Sequence, residues 1–297
     1  MGKKGKRSAK AGGKAAKQGP GKARRERSAA LREIEARIEA LIEKLEDELK
    51  DVELFGPLVP REECPICFVP MPRTENANIY MNCCGKYTCI GCARTSIELA
   101  MKKRSDVATM MKCAFCRSDM RGGEKKQIEM TMKRADSNDQ EAMLQLANHL
   151  NAGSCELEVD DIASIRLVLQ AAEGGHHLAI ARLANFFFQG GSPLPKNIER
   201  AIALAFAAAK LGYITAYTLL WLVFADKIDA ESSAMYIAFA AINGCSDSME
   251  ILNDLIEEGK VKQVDIDAVR REYEEALKVE WTEEREKAKK LKALMRL

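Results

Sequence analysis

The sequence predicts a mainly α-helical protein in which a small metal-held module is joined to an α-solenoid of helical-pair repeats. Two observations carry this reading. Eight of the ten cysteines lie between Cys64 and Cys116, and after Gly123 small and apolar residues recur at a period of 37 with no strand-like alternation. At 297 residues the chain is long enough for two folded units of roughly 150 residues each.

The net charge of +2 conceals strong segregation. Residues 1–27 carry eleven basic groups against one acid and, after Met1, no large apolar side chain. Nothing offsets the entropy of ordering them, so they read as a disordered basic tail. The clusters Lys3, Lys4, Lys6, Arg7 and Lys22, Arg24, Arg25, Arg27 suit nuclear import or a weak, salt-sensitive contact to nucleic acid or anionic lipid. The plainer reading is a solvated extension.

Residues 28–54 read as a helix or short coiled coil, because Leu31, Ile34, Ile38, Leu41 and Leu45 follow at spacings of 3, 4, 3 and 4. That seam allows a dimer through the N-terminal helix or packing against the same chain. Gly56, Pro57 and Pro60 then stop the helix. No run approaches eighteen apolar residues, and no apolar stretch follows the lysine-rich start. The expectation is a protein with no membrane span and no secretory signal, located in the cytoplasm and/or nucleus, where thiols stay reduced.

In residues 61–121 the thiols are spaced Cys64-x2-Cys67, Cys83-Cys84, Cys89-x2-Cys92 and Cys113-x2-Cys116. Two thiolates two residues apart on a tight turn reach one ion, and zinc takes four such ligands in a tetrahedron. Three knuckles and one adjacent pair supply eight ligands, enough for two Zn2+ ions. His149, His176 and His177 all lie outside the window, so sulfur alone completes both sites.

Residues 134–278 carry the repeats. Ala142, Ala179 and Ala216 are 37 apart, as are Leu146, Leu183 and Leu220. Ala172 and Gly175 recur at Ala209 and Gly212, and after 32 residues at Ala241 and Gly244. Each unit reads as two amphipathic helices with small residues at the crossings and glycine at the helix ends. Such units are stable only when stacked. Phe186, Phe187, Phe188, Tyr213 and Trp221 read as core, and Cys155 and Cys245 as small buried hydrophobes. His176 and His177, at a turn between units, read as solvated. Residues 279–297 read as a charged C-terminal helix.

The residues CPIC, CCGKYTCIGC and CAFCR resemble a RING-type zinc finger of the all-cysteine variety. That resemblance implies a two-zinc cross-brace, in which the first and third ligand pairs (Cys64, Cys67, Cys89, Cys92) share one ion and the second and fourth (Cys83, Cys84, Cys113, Cys116) share the other. Lys86 stands where the family's usual histidine would fall, so Cys83 and Cys84 are taken as the pair. The segment GHHLAIARLANFFFQGGSPLPKNIERAIALAFAAAKLGYITA resembles Sel1-like repeats, a tetratricopeptide relative. The combination, over roughly residues 54–278, is similar to RING-type proteins expanded in diatoms and related algae.

The resemblance implies a ubiquitin ligase that positions a ubiquitin-conjugating enzyme and its linked ubiquitin without a covalent intermediate of its own. The implied contact residues are Ile66 in the first knuckle, Ile97 in the segment Thr95–Met101, Ala114 in the last knuckle and Arg117 directly after it. Ala114 departs from the family's usual proline. The repeats, with the net −8 of residues 134–297, would recruit a protein substrate or partner. The alternative is a zinc-stabilised interaction scaffold that transfers nothing. Nucleic acid binding is expected to be weak at most, through the tail.

Overall fold

The structure, a computed structural model, describes residues 20–73, 78–102, 112–119, 121–154, 157–191, 193–227, 230–262, 264–280, 282, 283, 285 and 287. Residues 1–19 of the basic tail, Cys155 and most of the expected C-terminal helix lie outside them. The described residues form a mostly helical protein with a two-stranded antiparallel hairpin.

Helix α1 spans Pro20–Glu48. It starts eight residues before the expected Ser28, inside the segment whose composition predicted disorder. Pro20 suits a first helical turn, and Ala, Lys and Arg are good helix formers, so the helix extends once its later turns are anchored. The anchor is the seam: Ile34 and Ile38 are 0 % exposed, and Leu41, Ile42 and Leu45 are buried beside them. These side chains pack in the same core as α5 (Asp161–Glu173) and α7 (Ile198–Lys210). The seam is therefore satisfied within the chain, which removes the apolar surface that dimerisation through this helix would need. Ion pairs flank it: Arg27 is bidentate to Asp161 at 2.7 and 3.0 Å, Arg37 reaches Glu173 at 2.6 Å, and Arg200 pairs with Glu39.

Residues 49–59 then cross the repeat stack. Lys210 donates to Leu49 O at 2.8 Å, and the Tyr217 hydroxyl donates to Leu54 O. The Phe55 ring stands among Tyr217, Tyr236 and Phe239, with centroids 5.3–6.1 Å away.

The hairpin pairs β1 (Asn78–Met81) with β2 (Lys86–Cys89), Tyr80 facing Tyr87 and Met81 facing Lys86. Helix α2 (Ile90–Lys102) follows without a break, and α3 (Gly123–Asp136) leads into the stack.

From α4 to α9 every helix is 13 residues long: α4 Gln140–Ala152, α5, α6 His177–Gln189, α7, α8 Thr215–Lys227 and α9 Ala230–Ile242. Consecutive helices pack as hairpins, and α10 (Ser246–Glu257) and α11 (Ile266–Glu280) continue the stack. The 37-residue register is visible in the burial, since Ala142, Ala179, Leu183 and Leu220 are all 0 % exposed. It is visible also in the turns. Gly175, Gly212 and Gly244 have φ of +87°, +87° and +94°, and the residue after each donates to the carbonyl five positions back, as in a Schellman ending. Asp139, Asp160 and Asn197 cap α4, α5 and α7 through their side-chain oxygens. Phe187 is fully buried, whereas Phe186, Phe188, Tyr213 and Trp221 are half-buried. Among the described residues no helix is long and apolar enough to cross a membrane.

Candidate metal centre

The cysteine module has little apolar interior. Its core is Cys64, Met71 and Cys89, with Tyr87 and Cys92 against them. What organises it is two tight turns of the same design. In the first, Cys64 N–H donates to Val69 O at 3.0 Å, Phe68 N–H donates to Cys64 O at 2.8 Å, and Glu63 bridges Pro70. In the last, Cys113 N–H donates to Ser118 O at 2.9 Å, Arg117 N–H donates to Cys113 O at 3.1 Å, and Lys112 bridges Asp119. The residue after the second cysteine is left-handed in both, at φ +58° for Phe68 and +62° for Arg117. This geometry folds the backbone so that both sulfurs of a knuckle face one point.

The eight thiols gather into two quartets, Cys64, Cys67, Cys89, Cys92 and Cys83, Cys84, Cys113, Cys116, with the four sulfurs of each within 4.8 Å of one another. Pairs distant in sequence come close: Cys67 and Cys89 sulfurs are 3.9 Å apart, Cys84 and Cys113 3.8 Å, and Cys83 and Cys116 3.4 Å. A tetrahedron with zinc–sulfur bonds of about 2.3 Å has sulfur–sulfur edges of about 3.8 Å. The observed separations fit that edge and are far too long for disulfides. Lys86 belongs to neither quartet; its ammonium lies over the Phe115 ring, 5.4 Å from the centroid.

Adjacent cysteines share one quartet because the hairpin end is tight. Cys84 and Gly85 both donate to Met81 O, at 3.0 and 2.8 Å. Gly85 has φ +72°, and a Cβ there would sit 2.1 Å from the Arg134 guanidinium. Glycine suits the turn through its positive φ, and a side chain there would also displace the Arg134 guanidinium.

The electrostatics favour a bound cation. Burial works to raise the Cys64 thiol, but amide donors from Cys89, Cys67 and Ile66 outweigh it and hold it at about 6. The Ser118 hydroxyl chiefly holds Cys116 at about 6. Burial and neighbouring thiols push Cys92 and Cys83 strongly up. Four thiolates cannot share such a space unaided, and a divalent ion removes the conflict.

The four expected contact residues all reach solvent: Ile66 is 39 % and Ile97 54 % exposed, and Ala114 and Arg117 are exposed as well. Leu99, at 50 %, adds a second exposed apolar side chain to the expected segment Thr95–Met101, and Phe68, at 71 %, is one that sequence reasoning passed over. For Phe68 the available signal was its place directly after the knuckle.

The hairpin is joined to the first repeat. Asn82 donates to Thr131 at 2.8 Å, and Arg134 is paired with Asp139. Burial, then Glu141, pushes the Tyr87 hydroxyl strongly up. His176, expected to be solvated, instead sits half-buried at the N-cap position of α6, with no side-chain capping bond, 3.6 Å from Glu141 and stacked on His177. Burial first, then His177 and Arg182, hold its pKa down at about 4. The turn that carries it packs against the neighbouring unit, where Gln140 donates to Gly174 O at 2.8 Å. On another face, an open groove of about 560 Å³ lies between α1 and α7, lined by Leu45, Leu49, Leu54, Ile202, Phe206 and Lys210.

No family model matches the sequence, and no curated protein matches it. Among solved structures, the chain is similar to a Sel1 repeat protein from Oxalobacter formigenes, with 26 % identity and a TM-score of 0.38 over 43 % of this chain and 98 % of that one. It is also similar to a protective antigen of uropathogenic Escherichia coli strains displaying an SLR fold, with 15 % identity and a TM-score of 0.34 over 56 % of this chain; the match spans 47 % of that protein.

Proposed function

We propose that this chain is a zinc-binding, RING-type ubiquitin ligase whose Sel1-like repeats recruit a protein substrate inside the cell. The observation that supports it best is the interleaving of the quartets. Cys64 and Cys67 meet Cys89 and Cys92 across the intervening pair, while Cys83 and Cys84 meet Cys113 and Cys116. Zinc in each quartet would supply structure and no reaction chemistry. The crossing must form before either quartet is complete, which makes a segment with a minimal apolar core rigid.

In this reading Ile66 and Ile97 provide an apolar patch for the conjugating enzyme. Arg117 offers a fork of donors that suits acceptors on enzyme and ubiquitin at once. The gain in rate is positional: a flexible thioester is held where a substrate lysine can attack it. The test is incubation of purified protein with activating enzyme, a panel of conjugating enzymes and ubiquitin. Ligase function requires chains from the wild type and their loss in Ile66→Ala and Arg117→Gln.

A second reading, a scaffold without transfer activity, draws support from two observations. Ala114 stands exposed at the place of the family's proline, and Arg117 has a backbone role in its knuckle that needs no partner. Silence across the whole enzyme panel, with both zincs bound, selects this reading.

A further inference from the structure

Arg285, in the segment after α11, is 0 % exposed and is the largest fully buried side chain among the described residues. It is inserted into the first knuckle, more than 200 residues away in sequence. Nη1 donates to Pro70 O at 2.8 Å, and Nη2 donates to Val69 O at 3.4 Å and lies 3.8 Å from the Cys67 sulfur. Val69 and Pro70 are the residues that close this turn onto Cys64 and Glu63.

A buried guanidinium is costly unless negative charge compensates it. Four thiolates around one divalent ion leave an excess of two negative charges, which a cation at the sulfur edge offsets. The second quartet is arranged differently: there the Cys116 sulfur faces the neutral Ser118 hydroxyl at 3.2 Å.

We propose that Arg285 is a positioning residue of the first quartet, clamping the Cys64–Cys67 knuckle and offsetting the charge of its metal-loaded form, so that the C-terminal segment governs metal retention at one site and not the other. The proposal rests on the zinc reading above. It makes the far end of the helical stack part of the metal centre, and removal of this contact loosens one quartet selectively. Residues around a metal's ligands commonly change its affinity by about 10- to 100-fold.

The test uses the full-length, zinc-loaded protein challenged with 4-(2-pyridylazo)resorcinol, while N-ethylmaleimide traps each thiol as it is released and peptide mapping identifies it. For Arg285→Gln the expected result is release about tenfold faster or more at Cys64, Cys67, Cys89 and Cys92, with the wild-type rate at Cys83, Cys84, Cys113 and Cys116. Arg285→Lys, which keeps the charge and loses the fork, should fall between. Unchanged release, or equal acceleration at both quartets, overturns the proposal. If Arg285→Gln loses its helical circular dichroism, Arg285→Lys decides by the same criterion. Fewer than two zincs in the wild type would instead overturn the zinc reading, and that is known before any variant is made.

Discussion

In α6 the solenoid buries Ala179, Ile180, Leu183, Ala184 and Phe187 to 0 % exposure, whereas among the described residues the core cluster of the cysteine module is Met71 beside Cys64 and Cys89. The repeats hold their shape through apolar burial, with alanines letting neighbouring helices approach and leucines filling the layers, at about 1.5–3 kcal/mol for each large side chain fully buried. Among the described residues the module has few such groups. Its two thiol quartets could hold metal instead, and metal–sulfur bonding is worth about 10–16 kcal/mol in apparent terms for a structural zinc. The two regions should therefore fail separately, under different insults, although Asn82, Gly85 and Arg285 join them.

The largest effect expected is from removing metal. Stripping zinc with a strong chelator, or replacing Cys89 with serine, should render residues 61–121 protease-sensitive while far-ultraviolet circular dichroism keeps most of its helical signal. Loss of the whole helical signal would mean that the stack cannot stand without the module. The reciprocal break is Phe187→Ala, which opens a cavity in a closed layer and should cost about 3–5 kcal/mol in denaturant unfolding. Zinc content under native conditions should stay at two per chain.

A smaller effect sits at the junction. His176 is held neutral in the fold at about 4, chiefly by burial, whereas in the unfolded chain it gains its proton near 6.5. Between these values the unfolded state binds the extra proton, so stability declines as pH falls from about 6.5 to about 4, by at most about 3 kcal/mol, and this contribution is constant below that window. His176→Gln lacks this slope. The quantity to measure is the difference between wild type and variant, because thiolate protonation in acid affects both chains alike.

The smallest change separates backbone from side chain at Arg117. Glycine takes its left-handed conformation freely, so Arg117→Gly should retain both zincs and alter stability by about 1 kcal/mol or less. Arg117→Val, branched at Cβ, should weaken metal retention at the second quartet. Ubiquitin transfer lost in Arg117→Gly, with metal content intact, would assign the guanidinium to partner contact; full transfer would leave the residue a role in the turn alone.

Legibility in the sequence followed the range of the interactions. The 37-residue register was readable because every repeat meets the same neighbours, so each helix crossing needs alanine at one place and each turn needs glycine at another. That eight cysteines make two sites followed from spacing and ligand count, since knuckle geometry is local, whereas which pairs share a site was implied only by the resemblance to RING-type fingers. The N-terminal helix was half legible. Its seam showed in Ile34, Ile38, Leu41 and Leu45, but whether a second copy or its own stack would cover them depended on α5 and α7, far along the chain. Composition misled for residues 20–27, where a helix anchored downstream carries residues with no large apolar side chain of their own. It misled again at His176, whose burial depends on the packing of the turn that carries it.

By itself the sequence determined which residues repeat, which thiols could form sites, and where chain-breaking glycines and prolines fall, because these depend on short-range geometry and on chemical type. Only the tertiary structure decided that α1 and residues 49–59 lie against the stack, that the hairpin sits on α3, and that Arg285 returns to the first knuckle. Those contacts join residues up to 218 positions apart. The choice among such contacts belongs to the packed whole, since a buried side chain can be satisfied by many partners and only the complete arrangement satisfies all of them together.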